Sequence, residues 1–361
     1  MTDTRVTGLR HGRLLAGALV KDLPRYLSLF ARGGEAYLAI RNRGESLEPA
    51  PQGSGFRCNW QWTSKLHAPT VIPYLGRSLM RRCLAPHPIV RRAAPPPSAK
   101  QTPDISFLIG HRGEARLPHL LATLESIAGQ AGAAIECLVV EQDLEARLSG
   151  RLPVWVRHVH TPPPAGMPYC RAWVFNVGAG LARGRTLVLH DNDMLVPRDY
   201  ARHILDLAEQ GWEAINPKRF IFYLSEAHTQ KVFAGHERLS DCAPASIIQN
   251  LEAGGSVAIS HEAYQRIGGM DEGFIGWGGE DNEFWERCQT LKVWPYGALP
   301  LVHFWHPSQP GKYQADNQTL KRYRDLSSIP PQRRIEHLRQ MPAGQPTGPT
   351  GWSTTGLEPS P

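Results

Sequence analysis

The sequence predicts an α/β fold with a mainly parallel central sheet. Three observations carry that prediction. After a proline-rich break at residues 91–104, short apolar runs of strand length alternate with segments of helical period. Two of those runs, "VVEQD" and "LVLHDND", end in acids, and sheets of this kind bind ligands at the carboxyl ends of their strands. With 361 residues, 41% of them hydrophobic, the chain is long enough to bury a real core.

The elements follow in order. "DISFLIG" (104–110) is a short apolar strand. In "LPHLLATLESIAGQ" (117–130), Leu117, Leu120, Leu121, Leu124 and Ile127 share one helical face. "IECLVVEQD" (135–143) is a second strand ending in acids. "YCRAWVFNVGAGLARG" (169–184) is a helix closed by glycine, and "TLVLHDND" (186–193) a third buried strand. "GGSVAIS" (254–260) is a strand flanked by glycine. In "FIGWGGEDNEFWERC" (274–288) a helix begins near Glu280 or Asp281, because Phe284, Cys288 and Leu291 recur at helical spacing. "NQTLKRYRDL" is one more helix, and residues 342–361 have the composition of a disordered tail.

Composition divides the chain further. Net charge is +7, but residues 1–100 hold 16 Lys/Arg against 5 Asp/Glu, while the remainder holds 24 against 28. The expected organisation is a basic extension over 1–92, a linker over 93–103, a catalytic domain over 104–307, helices over 308–341 and the tail. The basic part could meet an anionic membrane surface from the cytoplasmic side. A nucleic-acid partner is not expected, since it explains no motif after residue 104. The apolar run Leu14–Val20 is too short to span a bilayer, and Lys21 and Asp22 follow it without a cleavage site, so a cytoplasmic protein is expected. The six cysteines include no CxxC pair, which argues against both a zinc site and a disulfide scaffold.

Three stretches could carry chemistry. "HDND" (190–193) places Asp191 and Asp193 at a strand end, where hard oxygen ligands can meet Mg²⁺ or Mn²⁺; an Asx turn is the plainer explanation. "LPLVHFWHPS" offers His303 and His306, and imidazole suits Mn²⁺ better than Mg²⁺. "GWGGED" sets Trp277, Gly278 and Gly279 beside Glu280 and Asp281: an aromatic plate for a sugar ring next to a carboxylate able to act as general base. Helix capping by Asp281 is the alternative.

The order of these stretches resembles the GT-A glycosyltransferases, and most closely the β-1,4-galactosyltransferase group. Polypeptide N-acetylgalactosaminyltransferases and bacterial chondroitin-type polymerases are more distant. "CRAWVFNVG" is similar to the family's "NRAxLLNVG", "DNDMLVP" to "DVDLIP", "GGSVAIS" to "GGVSALS", and "GWGGEDNE" to "GWGGEDDD", with six residues in a row identical. The resemblance covers residues 104–307.

It implies a GT-A (Rossmann-like) fold and an inverting, Mn²⁺- (or Mg²⁺-) dependent transferase using a UDP-sugar, with a glycan or lipid-linked saccharide as acceptor; the alternatives are a retaining enzyme of the same fold or a non-catalytic glycan- or polyanion-binding protein. It implies metal binding by Asp193 and His303, with Asp191 near metal and ribose and His306 as the second candidate histidine. It implies donor contacts from Arg112, Glu141, Asp143, Arg171 and Gly255. Asp281 takes the place of the general base, Glu280 that of its neighbour holding the acceptor, and Trp277, Gly278 and Gly279 that of the sugar platform. Where the family's "YFGG" has a donor-selecting tyrosine, this chain reads "LEAGG", so Glu252 or Ala253 stands there and galactose does not follow.

Overall fold

The computed structural model describes residues 46–50, 55–58, 64–65, 71–98, 101–249, 251, 253–308, 317–345 and 348, with short helical pieces within 12–20 and 31–32. Glu252, most of the basic N-terminal stretch and residues 349–361 of the expected tail lie outside the described residues.

The strands run β1 (Leu47–Pro49), β2 (Phe56–Cys58), β3 (Ser64–Lys65), β4 (Ile105–His111), β5 (Ile135–Glu141), β6 (Val156–His160), β7 (Thr186–His190), β8 (Met194–Leu195), β9 (Ala214–Ile215), β10 (Lys218–Tyr223), β11 (Ser246–Gln249), β12 (Ser256–Ser260), β13 (Val293–Trp294) and β14 (Leu299–His303). The helices are α1 (Pro73–Leu84), α2 (Leu117–Ala128), α3 (Arg171–Leu181), α4 (Tyr200–Glu209), α5 (Glu226–Phe233), α6 (His261–Arg266), α7 (Glu280–Cys288), α8 (Gln318–Ser327) and α9 (Pro331–Arg339).

The central sheet has seven strands in the order β13-β9-β12-β7-β4-β5-β6. β4, β5, β6 and β7 are mutually parallel, and β12 alone runs antiparallel, between β7 and β9. This is the mixed α/β fold with a mostly parallel sheet that the alternation of elements predicts. Both faces are covered. Leu108, Leu138, Leu187 and Leu189 pack against α3 on one side. Phe107, Ile109, Val139 and Val188 pack against α2 and α4 on the other. That two-sided burial is why these strands read as continuous apolar runs rather than alternating ones.

A second sheet, β3-β11-β10-β14-β8, stands beside the first. Helix α1 buries Leu79, Met80 and Cys83 against its Phe220, Phe222 and Val302. The chain from 87 to 93 then lies along α2 and α4: Arg198 N donates to Pro88 O (2.9 Å), Arg92 N to Glu125 O (3.0 Å) and Trp155 Nε1 to Ala93 O (3.0 Å). At the other end, Gln345 O accepts from Trp173 Nε1 (2.7 Å) and Gly344 N donates to Glu272 (2.6 Å), so this part of the expected tail is docked against α3.

Candidate active site

The site forms where β4, β7 and β14 end. After β7 the chain turns through Asp191–Asp193 and returns as β8, which pairs antiparallel with β14 so that His303 faces Met194. Phe304 N donates to Asp193 O (3.0 Å). This register, rather than any proximity in sequence, sets Asp193 against His303 and His306. The ligand atoms of the three lie within 4.8 Å of one another. Asp193 Oδ1 is 3.4 Å from His303 Nε2, and Oδ2 is 3.4 Å from His306 Nε2. Arg116 Nη1 donates to Oδ2 at 2.7 Å. Asp191 is not part of this cluster.

Burial alone would raise the Asp193 pKa, but the facing charges of His303, Arg116 and His306 outweigh it and hold the carboxyl down at about 2. Burial lowers the pKa of His306. The His303 ring stacks on Tyr223, with centroids 4.4 Å apart. Asp193 Oδ1 is buried without a hydrogen-bond partner. An orphaned carboxylate oxygen beside two imidazoles is costly unless a cation meets it. One hard oxygen and two imidazole nitrogens suit Mn²⁺ better than Mg²⁺. The residues therefore fit a bound divalent cation.

Arg171, the first residue of α3, joins the two aspartate motifs. Its Nε and Nη2 donate to Asp191 Oδ1 at 3.1 and 2.7 Å, and its Nη1 donates to Asp281 Oδ1. Its guanidinium lies 4.6 Å over the Phe175 ring. One cation thus ties the carboxylate two residues before Asp193 to the carboxylate at the head of α7. Asp281 Oδ2 points at Gly254, where an added Cβ would come within 2.5 Å of it, so only glycine leaves that oxygen room. Gly255 O accepts from Asp191 N (2.8 Å), which locks the start of β12 to the aspartate turn.

The glycine loop before α7 has a conformational reason. Gly276, Gly278 and Gly279 have φ of 108°, 110° and 91°, a region that side chains resist. Gly279 itself holds the helix N-cap position and α7 begins at Glu280. The expected alternative of Asp281 as N-cap is therefore corrected: the turn needs a left-handed residue there, and Asp281 falls one residue inside the helix. Its side chain is left for Arg171. Trp277 is 37% exposed, and its carbonyl accepts from Asn317 Nδ2 (3.0 Å) and Thr319 Oγ1 (2.5 Å) at the start of α8.

Glu280 is buried and accepts from Gly278 N at 3.1 Å. Burial, reinforced by the neighbouring Asp281 charge, pushes its pKa up to about 7. Burial also raises that of Asp281, against the opposing pull of Arg171. Glu283 and Glu286 have a different task. Buried Glu283 pairs with Arg287 (2.7 Å) and Arg334 (3.1 Å), and Glu286 with Arg334 (2.7 Å) and Tyr323 (2.6 Å), which binds α9 and α8 to α7.

On the side of β4 and β5, Arg112 Nη1 donates to Met167 O (3.0 Å). Asp143 accepts from Gly113 N (3.3 Å) and pairs with Arg147 (3.3 Å). Glu141 is fully buried and accepts from Leu148 N (3.1 Å) and His158 Nε2 (2.8 Å), so it holds the wall of this end rather than presenting an open oxygen.

Sequence reasoning missed several residues. Arg116 could have been sought as a base in the loop after the first strand. His111 ends β4; burial lowers its pKa to about 4, so it is neutral at physiological pH. A proton on Nε2 lets it donate to Gly113 O (2.9 Å) while Nδ1 accepts from Asn192 Nδ2 (3.2 Å). Asn176, read only as part of a motif, donates to Met270 O (2.9 Å) and Glu272 (2.8 Å) and accepts from Tyr264 Oη (2.5 Å) and Met270 N (2.9 Å). It fastens α3 to the loop that leads into GWGGED.

A family model described as "N-terminal domain of galactosyltransferase" matches residues 247–294, a segment holding both GGSVAIS and GWGGED. That segment is one of a glycosyltransferase. Similar solved structures include the catalytic domain of Drosophila β1,4-galactosyltransferase 7 with xylobiose, at 15% identity over 60% of this chain and 79% of that one, TM-score 0.35. GalNAc-T7 with UDP, GalNAc and Mn²⁺ is 14% identical over 64% of this chain and 48% of that one, TM-score 0.44. The mannosyltransferase PcManGT from Pyrobaculum calidifontis, with GDP-Man and Mn²⁺, is 17% identical over 76% and 74%, TM-score 0.40. All three are GT-A glycosyltransferases. No curated protein sequence matches the chain.

Proposed function

We propose that this chain is an inverting, Mn²⁺-dependent glycosyltransferase that moves a hexose or N-acetylhexosamine from a UDP-sugar to a hydroxyl of a glycan or lipid-linked saccharide. The observation that carries the reading is Arg171, which holds Asp191 and Asp281 around one guanidinium, beside the Asp193–His303–His306 cluster. On this reading the donor-side Asp191 and the acceptor-side Asp281 are held by one guanidinium.

Asp193, His303 and His306 would hold the metal. When bound, it neutralises the charge that develops on the departing diphosphate. Arg112, Asp143 and the wall built on Glu141 frame the nucleoside end, and Asp191 and the Gly255 turn flank the ribose and phosphates. Trp277, with the backbone of Gly278 and Gly279, forms the platform for the sugar rings.

Asp281 takes the proton of the acceptor hydroxyl as that oxygen attacks the anomeric carbon. The bond to UDP breaks, and UDP leaves with the electron pair. Asp281 suits this task because its raised pKa lies closer to the working pH than that of a free aspartate, while Arg171 holds Oδ1 and leaves Oδ2 beside Gly254. Glu280 orients the acceptor beside it. Product release from a cytoplasmic enzyme resting on an anionic membrane through its basic N-terminal stretch would suit bacterial surface polysaccharide synthesis. No helix among the described residues is long and apolar enough to cross a membrane.

Calorimetric titration of UDP in Mn²⁺ tests the reading. Binding that requires Mn²⁺ and disappears in Asp193→Ala supports it; equal binding by wild type and variant contradicts it.

A further inference from the structure

A second group of ligand-type side chains belongs to a different part of the fold. His228 stands on α5, Glu237 in the loop after it, and Cys242 just past the short 3₁₀ turn Leu239–Asp241. Their ligand atoms also lie within 4.8 Å of one another. His228 Nδ1 and Glu237 Oε2 are 2.6 Å apart. Cys242 is fully buried, while the His228 and Glu237 side chains are 21% and 16% exposed, so the group has a closed floor and an open mouth.

We propose that His228, Glu237 and Cys242 form a Zn²⁺-binding site, with water completing the coordination. The argument is one of chemistry and reach. Zinc takes nitrogen, carboxylate oxygen and thiolate sulfur together, at bonds of about 2.0–2.3 Å. A tetrahedral ion with such bonds keeps its ligand atoms roughly 3.3–3.8 Å apart, inside the span seen here. The close His228–Glu237 pair would open by about 1 Å as the ion enters between them. Binding converts the Cys242 thiol, now donating to Arg238 O at 3.5 Å, to a thiolate. One proton leaves to solvent, so affinity rises with pH. Burial, with the Glu237 and Asp241 charges, pushes this thiol up to about 12, and a bound cation reverses that cost.

The position suggests a clamp. Residues 234–245 make a long excursion between α5 and β11, and β11 pairs with β10, which in turn pairs with β14 and its His303. Among the described residues the other metal-type cluster, Asp193–His303–His306, contains no sulfur. A probe that sees sulfur therefore separates the two sites.

The test is a Co²⁺ titration of the full chain, reduced and stripped with chelator. The expected result is a saturable near-ultraviolet thiolate-to-cobalt charge-transfer band that is displaced by Zn²⁺. The band should persist in Asp193→Asn. It should vanish in Cys242→Ser, and Co²⁺ affinity should fall by roughly tenfold or more in His228→Gln. If Cys242→Ser does not fold, His228→Gln and Glu237→Gln, both at the open mouth, carry the test. Absence of the band in wild type overturns the proposal, as does a band undiminished in the His228 and Glu237 variants.

Discussion

At the scale of single residues, the account rests on two adjacent carboxylates with different surroundings. Asp281→Asn should lower turnover by about 10²–10⁴-fold, the usual contribution of a general base, with UDP affinity little changed. Steady-state rates beside UDP calorimetry check this; a variant with normal turnover rules out the assignment. Glu280 makes a second prediction, on stability. Its carboxyl is raised from 4.5 to about 7 in the folded chain, so the folded state binds the proton more tightly than the unfolded one. Ionising it therefore costs stability, from nothing below pH 4.5 to the full amount above about 7. Glu280→Gln should be more stable than wild type at pH 8, by about 3 kcal/mol, with the gain fading toward pH 5. Melting curves across that range check it, and a gain independent of pH contradicts it.

Much at this scale was legible. Asp191, Asp193, His303, His306 and GWGGED stand out because their residue types carry chemistry at strand and helix ends. What was not legible is who pairs with whom. Arg171 appeared as one letter of a helix motif, and nothing in its spacing shows that it spans Asp191 and Asp281, 20 and 110 residues away. Arg116 lies 77 residues from Asp193 and meets it only because β4 and β7 are neighbours.

At the scale of elements, the strands and helices were readable where both sheet faces are buried, since apolar runs and helical period then coincide with the elements themselves. The head of α7 was not. The acidic first turn suggests side-chain capping, yet the positive φ at Gly276, Gly278 and Gly279 places glycine at the cap. Gly279→Ala would combine φ of 91° with a Cβ 2.7 Å from that of Tyr323. It should cost about 1–3 kcal/mol in urea denaturation and displace Glu280 and Asp281 enough to lower turnover. Asn176→Ala should cost at least about 2 kcal/mol, because the partners it satisfies between α3 and the 270–272 loop stay buried. A loss under about 0.5 kcal/mol would show that the loop holds itself without Asn176.

At the scale of the molecule, the two sheets cooperate. The parallel sheet brings the ends of β4, β5 and β7 together, as its topology demands. The second sheet supplies His303, and the β8–β14 register sets it against Asp193. Helices α8 and α9 then brace the acidic helix from outside through Tyr323 and Arg334. No short motif in the sequence announces that second sheet, because its strands are scattered between residues 64 and 303. The most direct test of the whole arrangement is release of UDP from a panel of UDP-sugars, with and without Mn²⁺, by wild type and Asp193→Ala. The account predicts slow hydrolysis of at least one donor that requires Mn²⁺ and is lost in the variant. Hydrolysis that continues undiminished in chelator, or none with any donor in Mn²⁺, would contradict it.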